Sequence, residues 1–242
     1  MHSKPDQPNN EVISYQKLRA FIGLTGILLP ILTVFGSLLF EAGKYALQTS
    51  ISHYYYTYTH VVFVGLLGVL GGFLLTYHGH SSAESRTANI AGASALGIAA
   101  FPTPYSGFIA APNNSNQYLQ LRTEVSEVMG WTHYGCAFIL FVCFILFCLK
   151  FFQVADEKYE GKALTKFEKR QWFYKLCGYG ILVSIVLIPV FSLLVPRTGV
   201  FLYSTFFFET TALWFFGAAW LIKGSAIWKN KMVVKQVVKI FR

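Results

Sequence analysis

An all-α integral membrane bundle of six transmembrane helices, with both termini cytoplasmic, is the fold class this sequence predicts, and three observations predict it. Of the 242 residues, 54% are apolar and only 13% charged, about half the charged share of an average soluble domain. The apolar residues fall into runs of about 18 to 24, the length a helix needs to cross about 30 Å of hydrocarbon. Arginine and lysine alternate between dense and sparse from one connection to the next, which orients those runs.

Residues 1–17 are a polar N-terminal segment carrying Pro5, Pro8, Asn9 and Asn10. The transmembrane domain is 18–222, with spans at about 18–40, 54–77, 87–105, 131–152, 173–195 and 201–222, and 223–242 is a basic amphipathic tail. The first span follows Lys17 and is longer than the core of a cleavable signal, so it reads as a retained anchor. The third is mostly alanine, glycine and serine, and it ends at Phe101-Pro102-Thr103-Pro104-Tyr105, where two prolines break or kink a helix.

Seventeen of the 20 arginine and lysine residues fall on one side of this topology: the N-terminal segment, the turn with Arg86, the connection Lys150 to Lys175 and the tail from Lys223. The other side holds Lys44, Arg122 and Arg197. The positive-inside rule then makes both ends cytoplasmic and the protein a multi-pass resident of the bacterial inner membrane. Basic charge distributed this way is topological and calls for no nucleic acid partner. In the tail, Lys231, Lys235, Lys239 and Arg242 share one helical stripe opposite Val233, Val234, Val237 and Phe241, the pattern of an interfacial helix on anionic lipid headgroups.

Gly68 and Gly72 form a G-x-x-x-G pair, and Ala91, Ala95 and Ala99 a small-residue stripe, both suited to close helix packing. Cys136, Cys143, Cys148 and Cys177 lie in or beside apolar runs without a C-x-x-C, as packing residues do. Asn113-Asn114-Ser115 is a formal glycosylation sequon on an outer connection.

Candidate chemistry gathers on the outer side. Ser50, Ser52, His53 and the tyrosines around Tyr56 cap the second span, and a helix from Tyr54 sets His53 and His60 on one face, with His60 about 9 Å deeper. His133 starts the fourth span at the same level, and Glu209 lies roughly 13 Å into the sixth, where an unpaired carboxylate takes up a proton. His60, His133 and Glu209 are a donor set that suits zinc with one position open. Their common depth equally fits a hydrogen-bonded ligand pocket or a structural polar network. His78 and His80 occupy an inner polar turn and read as solvated. No G-x-S-x-G, P-loop or dinucleotide fingerprint is present.

The phrases SISHYYYT, FPTP and WTHYG, and the E-x-x-A-x-W-x-x-G-x-x-W-x-x-K-G pattern from Glu209 to Gly224, resemble a family of uncharacterised bacterial polytopic inner-membrane proteins, a domain of unknown function. More distantly the chain resembles the alkaline ceramidase and progestin/adiponectin receptor superfamily, whose seven-span members gather serine, aspartate and histidines around a metal for amide hydrolysis. That resemblance implies Ser50 or Ser52, His60 and His133 as counterparts. The chain departs from it in having six expected spans, no intramembrane aspartate and no H-x-x-x-H in its last span. The expected function is an outward-facing His/Glu/Tyr pocket for a small ligand or lipid, with a metal-dependent lipid or amide hydrolase second and a transporter or channel subunit third. The last needs a polar path to the inner side, where the spans offer few polar residues.

Overall fold

The computed structural model describes residues 10–40, 47–104, 125–154 and 162–224, with side chains from residue 16 in the first range and residue 168 in the last. Among them the chain is all-helical. The helices are α1 (Asn10–Phe40), α2 (His60–Leu75), α3 (Ser82–Ala100), α4 (Glu127–Leu149), α5 (Lys162–Leu194) and α6 (Ser204–Lys223), with short 3-10 turns at Ile51–Tyr56, Phe151–Gln153 and Gly199–Tyr203. Four stretches are long and apolar enough to cross a membrane: Gln16–Phe40, Glu127–Gln153, Glu168–Leu194 and Gly199–Lys223. The N-terminal segment 1–9, the glycosylation sequon at Asn113 and the tail with Lys231, Lys235, Lys239 and Arg242 lie outside the described residues.

Each helix packs on its neighbours in sequence, and α1 packs back on α6, so the six close into a ring in chain order. Trp220, near the end of α6, is fully buried inside it, with the rings of Tyr77, Phe147 and Phe152 at 5.0, 5.0 and 5.2 Å. Edge-to-face pairs of this kind add to the burial of large apolar area. Phe21, Phe35, Phe138, Leu182 and Val186 point outward and are exposed. In water such residues are a liability, and against lipid tails they are the expected surface.

Two ring contacts are made by backbone meeting backbone. A Cβ on Gly71 would stand 3.0 Å from the Gly92 carbonyl oxygen, and one on Gly92 would stand 2.8 Å from that of Gly71, which locks α2 on α3. Gly23 and Gly217 do the same for α1 and α6, at 2.6 and 2.5 Å. The expected pair Gly68 and Gly72 does not take part: space is open around both, and the close approach runs through the neighbouring Gly71. Ala91 and Ala95 are fully buried as expected, and Cys143, Cys148 and Cys177 are buried and free.

Boundaries differ from expectation for local reasons. The second span does not run unbroken from Tyr54. Thr57 closes the 3-10 turn with its N–H and hydroxyl both on the Tyr54 carbonyl, at 3.3 and 3.0 Å, and the Thr59 N–H turns to the Thr57 hydroxyl at 3.2 Å. Side-chain bonds of this type compete with the helical ladder, so α2 starts only at His60 and the expected single face for His53 and His60 does not exist. The third span starts earlier, at Ser82, because Ser81 caps it by accepting the Glu84 N–H at 3.1 Å. It stops at Phe101, ahead of Pro102, as the prolines dictate.

Candidate functional site

Residues 47–59, ahead of α2, form a lid of largely irregular backbone on the end of the ring where α3 finishes and α4 and α6 begin. Such backbone must find partners within the protein. The N–H of Phe206, in the first turn of α6 and free of any helical acceptor, donates to the Thr49 carbonyl at 3.1 Å. One turn further along α6, Glu209 reaches the same strip. Its carboxylate accepts the Ile51 N–H at 2.7 Å and shares the Ser50 hydroxyl proton between its oxygens at 3.0 and 2.9 Å. Ser50 in turn caps the 3-10 turn by accepting the Ser52 N–H at 3.2 Å. The carboxylate expected to stand alone in a span is therefore fully engaged.

His133, buried on α4, carries the second link. Its Nδ1 lies 2.6 Å from the Phe101 carbonyl oxygen and its Nε2 lies 3.0 Å from Ser52 Oγ. A carbonyl only accepts, so Nδ1 carries the proton, and in the neutral ring Nε2 is left as the acceptor for the Ser52 hydroxyl. Two residues apart on one turn, Ser50 and Ser52 thus hold a carboxylate of α6 and an imidazole of α4. A third link runs through Tyr56, whose hydroxyl donates to the Thr103 carbonyl at 2.6 Å, while the Thr103 hydroxyl donates to Tyr134 at 3.1 Å.

Of the candidate residues, Ser50, Ser52, Tyr56, His133 and Glu209 belong to this array. His53 and His60 bond within the lid: His53 Nδ1 is 2.8 Å from the Thr49 hydroxyl, and His60 Nδ1 is 2.8 Å from the Tyr55 carbonyl, with the Tyr55 and His60 rings edge to face at 4.4 Å. The three residues of the expected zinc set are turned to different partners here. His133 has both nitrogens occupied, Glu209 is bound to Ser50 and Ile51, and His60 is turned to Tyr55. Among the described residues no group of three histidine, cysteine or acidic side chains is placed to hold a metal ion.

The chain matches no known family model, no curated protein and no solved structure. Its chemistry must therefore be read from its own geometry.

Phe101, Thr103 and Tyr134 were not among the expected site residues, although FPTP and WTHYG contain them. Their role rests on a backbone carbonyl and on hydroxyl contacts that spacing does not display. A second polar cluster, at the far end of the ring, was also not anticipated. Buried Glu84 accepts the Tyr77 hydroxyl at 2.7 Å and the His80 N–H at 2.8 Å, and buried Arg19 donates to the same Tyr77 oxygen at 3.2 Å. The pattern Ser81-x-x-Glu84, a helix-start signature, would have put Glu84 inside α3. That end is more polar than expected, and His80 sits half-exposed beside Glu84.

Proposed function

We propose that this is a six-span inner-membrane protein, both ends cytoplasmic, whose outward-facing lid array binds a lipid or small ligand. The observation that carries the reading is the pairing of Ser50 with Glu209 and Ser52 with His133 on one short turn. Polar and ionisable groups in such a setting are costly and mark sites of use. The exposed Trp131 and Tyr134, in the first turns of α4 beside His133, have the amphipathic rings that settle at headgroup level, which favours a lipid over a water-soluble ligand. A transport path is less well supported, because buried Leu67, Leu70, Leu213 and Phe216 lie along α2 and α6 between the lid array and the Arg19–Tyr77–Glu84 cluster.

Thermal unfolding of the full-length protein in detergent tests this, with and without added phosphatidylglycerol or phosphatidylethanolamine. A lipid bound at the lid raises the midpoint of the wild type by mass action, and His133→Ala and Glu209→Leu each reduce that rise. An equal rise in wild type and both variants means the lipid acts on the outer surface alone and the lid is a structural network. Zinc and chelator added in parallel, with no change in midpoint expected, decide the metal-dependent alternative.

A further inference from the structure

We infer that Ser52 and His133 form a metal-independent nucleophile and general base for cleaving the acyl ester of a membrane lipid. The inference rests on the lid array being a lipid site. Its basis is the directional chain Ser52 Oγ–H to His133 Nε2 at 3.0 Å, with Nδ1–H held on the Phe101 carbonyl at 2.6 Å. An activated nucleophile requires a base in hydrogen-bond reach and a third group that fixes the base's tautomer. Here the third group is a backbone carbonyl at the proline-terminated end of α3. It holds the ring, leaves Nε2 free to take a proton, and accepts from the imidazolium that forms.

The environment selects the substrate class. His133 is buried, while Ser52 retains partial access. At the same end of the ring, Trp131 and Val128 on the outer side of α4 and Tyr58 and Val61 at the entrance to α2 are exposed, aromatic and aliphatic side chains suited to the boundary of hydrocarbon and headgroups. The ester carbonyls of glycerolipids lie at that level. Ser52 Oγ adds to the ester carbonyl carbon as its proton passes to His133 Nε2. Collapse of the adduct breaks the bond to the glycerol oxygen, which takes the proton from Nε2 and leaves as the alcohol. A water, deprotonated by Nε2, then attacks the acyl-serine ester, so a fatty acid departs and both groups are restored. The balance is ester plus water to acid plus alcohol, with no other co-reactant.

A fluorophosphonate probe on the purified full-length protein in detergent, with fragmentation of the adduct by mass spectrometry, tests the pair without any variant: the adduct is expected on Ser52. Ser52→Ala abolishes labelling, His133→Gln slows it at least tenfold, Ser184→Ala on α5 labels as wild type, and chelator has no effect. Fatty acid release from phosphatidylglycerol in mixed micelles is expected to follow the same order. Absence of an adduct on folded wild type, an adduct on another serine, full-rate labelling of His133→Gln, or loss with chelator would overturn the proposal. Labelling on Ser52 without fatty acid release would overturn the lipid ester as substrate. Because the probe reads reactivity and the thermal shift reads lipid binding, a lipid-stabilised protein that fails to label sinks this inference alone.

Discussion

Glu209 carries three contacts to two donors, the Ser50 hydroxyl and the Ile51 N–H, and that determines what its replacement costs. Glutamine keeps a carbonyl for the Ile51 N–H, and its amide donates to the Ser50 hydroxyl, which turns to accept. Leucine leaves the Ile51 N–H and the Ser50 hydroxyl proton without an acceptor, at about 1–3 kcal/mol. Denaturant unfolding in detergent is therefore expected to show Glu209→Gln within about 1 kcal/mol of wild type and Glu209→Leu clearly below it. Equal losses would mean the negative charge itself, and not the hydrogen-bond geometry, holds the lid. At this scale the sequence was informative about identity and silent about partnership. Glu209, His133, Ser50 and Ser52 were visible as polar residues at one level, but nothing in their spacing tells a carboxylate bound to a serine and a backbone N–H from one bound to zinc. The deciding contacts run to the Phe101 carbonyl and the Ile51 N–H, and backbone groups carry no residue-type signature.

The elements were legible where a long apolar run met a composition change, and less so where side-chain bonds set the boundary. The strip from Gln48 to Thr59 illustrates the second case: four tyrosines, three threonines and two serines resemble the polar cap of a helix, yet the Thr57 and Thr59 hydroxyls bond locally and stop the helix short. In the proposed topology this strip lies at membrane depth, where non-helical backbone survives only when buried in protein, and its partners come from α4, α6 and the segment just after α3. Small-residue stripes were readable as packing devices, but which stripe faces a partner depends on the rotation of the helix, and one residue is about 100°. The glycines at 23 and 217 make a direct test. Gly23→Ala sets a methyl 2.6 Å from the Gly217 carbonyl, forces α1 off α6, and is expected to cost about 1–3 kcal/mol. Gly68→Ala meets nothing within 4 Å and, with alanine the better helix former, is expected to be neutral or stabilising by up to about 1 kcal/mol. Unfolding midpoints in SDS and mild detergent mixtures separate the two, and equal effects would mean that α1 and α6 do not approach so closely.

Across the whole molecule, the ring has two polar ends joined by an apolar and aromatic middle, and the orientation of those ends gives the lid array its meaning. The end with Arg19, Glu84 and Lys223 is tied down by tyrosine and carbonyl contacts, with Lys223 Nζ on the Val154 carbonyl at 3.4 Å. The basic residues of the connections cluster on that end as well, since Arg86 on α3 and Lys150 at the close of α4 belong to it. Helix α2, with 16 residues, is about 24 Å long, short of the hydrocarbon thickness. In the proposed six-span topology the lid turn that precedes it makes up the missing depth, which would set Ser52 and Glu209 inside the interface on the side poor in lysine and arginine. If that side is periplasmic, a phosphatase that is active only after export and fused within the connection near Asn116 gives signal, and the same reporter placed after Arg242 gives none. Reversal of the two signals would turn the lid to the cytoplasm, where the lipid it meets belongs to the inner leaflet. Signal at both positions would mean an even number of crossings between residues 116 and 242, so that one of α4, α5 and α6 would not cross the membrane.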